Sequence, residues 1–157
     1  MTYPQDFVVQ ALLQNAVPVQ IDNTDKARFV QLHRLHHIWT PDCRVLSHGG
    51  DELYRWEGFL PPAEFAPRML CGFAAAHLRE KRFDAAEALY EDVLRRFPTS
   101  YAAPEAQYYL GVTRYRRDPE SDELLTQWAQ LRSRYPNSEQ RVKQSFKEMP
   151  DAPDAPH

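Results

Sequence analysis

With only two cysteines, Cys43 and Cys71, among 157 residues, no disulfide framework can be argued for this chain. Glycine is scarce at 5 residues, and neither G-x-G-x-x-G nor G-x-x-x-x-G-K-[ST] occurs, which excludes the common glycine-rich phosphate cradles. H-E-x-x-H, G-x-S-x-G and C-x-x-C are missing as well, so the familiar metal, hydrolase and dithiol signatures all fail. No cofactor is implied. The longest apolar stretch, Met69–Ala76, is interrupted by Gly72 and falls far short of the roughly 20 residues of a membrane span. The N-terminal MTYPQDF has no basic segment followed by an apolar one, so no secretory signal is expected and the cytoplasm is the default location. An excess of one charge is also lacking: 19 Lys and Arg face 22 Asp and Glu, a net charge of −3. Without a basic face, nucleic acid is not an expected partner.

What the chain does have is enough apolar material for a core. The 43% hydrophobic fraction includes 12% aromatics, and a chain of this length buries roughly 68–70% of its unfolded surface. Asp6 can cap a helix through Phe7, Val8, Ala11 and Leu12, and Val17–Asp22 alternates as a strand does. Asp25 then opens a second helix, with Phe29, Val30 and Leu32 followed by His33, His36 and His37, and Thr40-Pro41 breaks it. Cys43–Ser47 and Glu52–Glu57 read as a hairpin around His48-Gly49-Gly50-Asp51, a turn that needs positive φ. Pro61-Pro62 ends it, and a helix runs from about Ala63 through Leu70. Beyond Cys71 every apolar recurrence is helical. Phe83, Ala86, Tyr90, Val93 and Phe97 form one stripe, closed by Pro98, and Leu124, Leu125, Trp128, Leu131 and Tyr135 form another, closed by Pro136. Ser138 can cap a last helix through Val142 and Phe146. The final Pro150–His157 has no apolar residues to bury beyond alanine and proline and is expected to be disordered. The pattern is therefore α-β-α-β-β-α, followed by helical hairpins.

The run Ile38-Trp-Thr-Pro41, a strand, Gly49–Gly58 and then Leu60–Phe65 resembles the C-terminal ββα half of the thioredoxin family. Over about residues 4–70 the resemblance implies an incomplete thioredoxin-like domain of mixed α+β or α/β class, with Val17–Asp22 as the preceding strand. It also implies a cis peptide bond at Thr40-Pro41, the family's cis position. The family's first strand and its C-x-x-C are absent, so a dithiol reaction has no pair of thiols to run on. In that family's sheet the missing strand is central, and its loss predicts either closure of the two flanking strands or a homodimer through the open edges.

Leu70, Phe73, Ala74, Ala86, Tyr90, Val93 and Pro98, and then Leu110-Gly111, Trp128, Leu131 and Pro136, resemble tetratricopeptide repeats of the divergent bacterial kind. The resemblance implies a helical array over residues 71–148 with a C-terminal capping helix, after a thioredoxin-like domain at 1–70 and before a disordered tail at 149–157. Such arrays bind extended peptides on the face of their first helices, which places Arg68, Leu78, Glu105, Tyr108, Val112 and Tyr115 on the partner-binding surface.

Three functional classes follow. The leading one is a non-catalytic protein- or peptide-interaction module, an adaptor with a degenerate active site. The second is a thiol-dependent redox protein in which Cys43, two residues past Pro41, acts as a lone nucleophile beside a histidine, or a truncated form of an active thioredoxin. The third is a metal site in which His33 and His37, four apart on one expected helix, are joined by Cys43 or His48. Against these stand the ordinary roles of the same residues: a cysteine in a strand is a small hydrophobe, and Trp39 and Trp56 are expected to pack between elements.

Overall fold

The computed structural model of the chain describes residues 5–145. Phe146 and the expected tail 149–157 lie outside the described residues. The first helix, α1, is Asp6–Leu13; its Val8 and Ala11, three apart, are both buried, and the Asn15 side-chain amide donates to the Ala11 carbonyl at 2.8 Å at its end.

Val17–Asp22, expected as a strand, is not one. The segment has no regular structure, and Val17 and Val19 stand in solvent. Pro18 offers no N–H to a ladder, and among the described residues no strand pairs with the segment. Of the two outcomes expected for the missing central strand, closure of the flanking strands does not occur: Val17–Asp22 pairs with no strand among the described residues. The second helix is also shorter than expected. A 3-10 turn, Lys26–Arg28, leads into α2, Phe29–Arg34, and His36 sits at φ 49°, a left-handed conformation that ends the helix. His33 and His37 are therefore not on one helix.

After the cis Thr40–Pro41 bond the chain forms an antiparallel hairpin of β1, Asp42–Leu46, and β2, Glu52–Glu57. Gly50 supplies the positive φ of the turn, at 89°. Cys43 lies opposite Trp56, and Val45 opposite Tyr54, so one face carries apolar side chains and the other Asp42, Arg44, Arg55 and Glu57. Among the described residues the sheet has these two strands. On the charged face Asp42 accepts from Arg44 at 2.6 Å and from Arg55 and His37 at 3.3 Å each. Its burial raises the carboxyl pKa, but the hydrogen bonds from Arg44 and His37 and the two guanidinium charges outweigh that and hold it below the ordinary value.

The apolar face of the hairpin sits on α3, Pro62–Arg79. Pro62 suits the first helical turn, where its missing N–H has no partner to lose. Gly72 is what lets the hairpin approach: a Cβ there would meet a ring carbon of Tyr54 at 2.8 Å and a methyl of Val45 at 3.2 Å. Trp56 packs edge-on against Phe65 of α3, with centroids 5.6 Å apart. Trp56 is buried as expected, but Trp39, in the loop that leads into the hairpin, is 67% exposed. Residues 70 and 71, between which a domain boundary was expected, both lie inside α3, whose two sides serve both halves.

Four further helices follow: α4 Phe83–Arg96, α5 Ala103–Arg117, α6 Glu123–Arg134 and α7 Glu139–Lys143. Each packs on the next, and α3 also touches α5, as α5 touches α7. The first, third and fifth members of the array thus share one side. Ala86, Tyr90 and Val93, at helical spacing along α4, are fully buried between α3 and α5. Gly111 plays for α6 the part Gly72 plays for the hairpin, with the Trp128 ring 3.2 Å from where a Cβ would stand.

Candidate functional site

The side shared by α3, α5 and α7 gathers the most unusual charge in the helical half. Glu105, in the first turn of α5, is only 7% exposed. A carboxylate is tolerated there because the N-terminus of a helix favours negative charge and because both its oxygens are bonded. The Tyr54 hydroxyl of β2 donates to one at 2.8 Å, and Arg68 of α3 donates to the other at 2.7 Å. The Arg68 guanidinium also stands over the Tyr54 ring, 5.4 Å from its centroid. One charge therefore ties the hairpin, α3 and α5 together. Burial, and then the charge of Glu105, push the Tyr54 hydroxyl far above the usual range, so it stays a donor.

Next to this cluster α7 contributes a second pair, Lys143 and Glu139 at 2.7 Å. The hydrogen bond from Lys143, and then its charge, hold Glu139 below its ordinary value, with Arg68 adding to the effect. The same bond raises Lys143, helped by the charges of Glu139 and Glu105 and by Tyr109. Arg68, Lys143 and Glu139 thus lie at the surface near the buried Glu105, with two guanidinium or ammonium groups partly open to solvent: side-chain exposure is 33% for Arg68 and 50% for Lys143.

Of the six residues expected on this face, the structure brings some to the surface and withdraws others. Arg68 is there, engaged with Glu105. Tyr115 is 42% exposed, and Val112 is half-buried against the core. Tyr108 stacks on Trp128 at 5.0 Å and meets Tyr109 edge-on at 5.2 Å, so most of its ring is used internally. Leu78 and Glu105 are corrected outright as open surface: Leu78 is buried in the core with α1 and α4, and Glu105 is closed over by Tyr54 and Arg68. The repeat pattern places both on the open side of an isolated array, but here the N-terminal elements pack against that side first. Sequence reasoning missed Tyr54, Tyr109, Glu139 and Lys143. The i,i+4 acid-then-base spacing of the last two was the one local signal; the contact of Tyr54 spans 51 positions and leaves none.

The other candidates are less well placed. Cys43 is half-buried on β1 opposite Trp56. Cys71 is fully buried, its thiol 3.7 Å from the Ala102 carbonyl, and burial, with Glu105 adding, pushes its pKa well up. That is the opposite of a reactive thiol. His33 is exposed on α2, while both ring nitrogens of His37 are within reach of partners, Asp42 at 3.3 Å and Thr40 at 3.2 Å. His48 lies in the hairpin turn. Among the described residues no three His, Cys, Asp or Glu side chains come together as a metal would need. On the opposite side of the array Arg114 donates to Glu87, Glu91 and Glu123, each at 2.7 Å, a clamp joining α4, α5 and α6.

No described helix is long and apolar enough to cross a membrane. The comparisons with known proteins bear on the helical half. No curated protein and no solved structure matches the chain. The tetratricopeptide-repeat family pattern matches residues 105–138, which cover nearly all of α5, all of α6 and the turn that leads into α7. This part of the chain is tetratricopeptide-repeat-like.

Proposed function

We propose that the chain is a non-catalytic protein- or peptide-interaction module, in which a degenerate thioredoxin-like unit at residues 1–70 closes one end of a tetratricopeptide-like array at 71–148. The observation that carries this reading is the repeat match over α5 and α6, joined to a surface on α3, α5 and α7 that keeps two partly open cations, with exposed Tyr115 toward the C-terminal end of α5. Tetratricopeptide repeats generally mediate contacts with protein partners. Tyr115 and Val112 offer apolar contact to an extended segment, and Arg68 and Lys143 offer donors to its carbonyl or carboxylate oxygens. Because the first-repeat part of the face is closed by the hairpin, a short segment of a few residues fits better than a long one. The partner-binding residues in this reading are Arg68, Tyr108, Val112 and Tyr115, with Lys143 added.

A disulfide-reduction assay on the full chain tests the non-catalytic half of the proposal. Turnover that disappears in Cys43→Ser overturns it in favour of the thiol-dependent reading; the expected result is no turnover above buffer.

A further inference from the structure

The N-terminal half leaves apolar surface uncovered in one place. Of the twelve large hydrophobic side chains exposed among the described residues, eight lie between Leu13 and Phe59. Seven of these have more than half of their surface in water, and five are at least two-thirds exposed: Val17 88%, Val19 81%, Ile38 77%, Trp39 67% and Phe59 67%. The three segments that carry them are tied to one another at one end of the hairpin by two hydrogen bonds. The Gly58 N–H donates to the Pro41 carbonyl at 2.8 Å, which sets Phe59 beside the loop carrying Ile38 and Trp39. The Asn23 side-chain amide donates to the Thr40 hydroxyl at 2.8 Å, which fastens the end of the Val17–Asp22 segment to the same loop. The hairpin edge along β1 starts next to this point and has no strand paired to it.

We infer that this end of the hairpin is a self-association surface, and that its occupant is a second copy of the chain. Two arguments select a second copy. First, side chains of this size, each mostly exposed, present on the order of 700 Å² of apolar area, close to the roughly 800 Å² per partner of a stable interface. Second, an isologous contact needs only one patch that complements itself, and the rim fits that requirement. Exposed Asp22 and Lys26 stand beside the Asp25–Arg28 pair, 3.9 Å apart, so a two-fold axis can set acid against base on both sides, whereas a strongly charged partner would meet repulsion from one sign. The surface is separate from the α3–α5–α7 face, so a dimer joined here keeps both peptide faces open and becomes bivalent.

Sedimentation equilibrium on the full chain from about 1 to 200 μM tests this. A monomer–dimer equilibrium is expected, weakened at least about 100-fold by Trp39→Asp with Phe59→Asp and unchanged by Leu125→Asp, which alters an exposed apolar residue on α6. Far-UV circular dichroism checks that the variants keep their helices. An independent readout on the unaltered chain is amide exchange, which slows with concentration at residues 17–22, 36–40 and 58–60. A monomer throughout the range, a dimer insensitive to the double substitution, or concentration-dependent protection elsewhere each overturns the inference.

Discussion

Replacing Glu105 by alanine removes the one group that holds the hairpin, α3 and α5 in common. The Tyr54 hydroxyl loses a charged acceptor at 2.8 Å, a bond of about 1.5–3 kcal/mol for a buried partner. Arg68 loses a carboxylate at 2.7 Å, but a third of its side chain is in water, so solvent screening reduces that part to about 1 kcal/mol or less. Together the loss is about 2–4 kcal/mol, which for a chain of this size lowers the melting temperature by roughly 5–15 °C. Glu105→Gln keeps an acceptor for Tyr54 and lacks only the charge, so it costs about half as much. Urea denaturation of Glu105→Ala, Tyr54→Phe and the double variant then gives a coupling free energy, expected at about 1 kcal/mol or more. If Glu105→Ala loses under about 0.5 kcal/mol, or the two sites prove additive, the carboxylate is not the tie described here.

Three further outcomes follow from the core and the charged sheet face. Tyr90 is completely buried but its hydroxyl has no hydrogen-bond partner; Tyr90→Ala should cost about 3–5 kcal/mol, while Tyr90→Phe should be neutral or stabilising in the same denaturation experiment. Gly72→Ala forces a methyl to within 2.8 Å of the Tyr54 ring, and a loss of about 1–3 kcal/mol is expected, with perturbed tyrosine and tryptophan signals in near-UV circular dichroism. Asp42 titrates lower in the folded chain than unfolded, so its stabilisation is present above the unfolded pKa of about 3.9 and is lost as the pH falls through the folded value. Asp42→Asn should therefore destabilise at pH 7 and show a shrinking difference from the parent as thermal melts are repeated toward pH 2.

The helical half could be read from the chain because its information is local. Ala86, Tyr90 and Val93 repeat at the helical period and are all buried between neighbours that follow in sequence, and the Gly49-Gly50 turn announces a hairpin that closes over ten residues or so. What failed was non-local. Alternation in Val17–Asp22 reports only that a strand would suit the side chains; whether one forms depends on a neighbour with open hydrogen-bonding groups, and none stands there. The helix expected through His37 ends at Arg34 because His36 turns left-handed, which no periodicity displays. The face residues show the same division. Tyr115 and Arg68 are placed by the repeat's own period, whereas Leu78 and Glu105 are buried by α1 and Tyr54, elements that come from outside the repeat.

Partners are proposed to bind on the side shared by α3, α5 and α7. The direct measurement is to select binders from an unbiased display library of short peptides and map the tightest by hydrogen exchange on the full chain. The account predicts slowed exchange in residues 105–116 and 139–143, with binding weakened at least about tenfold in Tyr115→Ala and in Arg68→Ala. Protection confined to the Arg114 clamp side of α4 and α6, or a peptide whose affinity is indifferent to both substitutions, would contradict it.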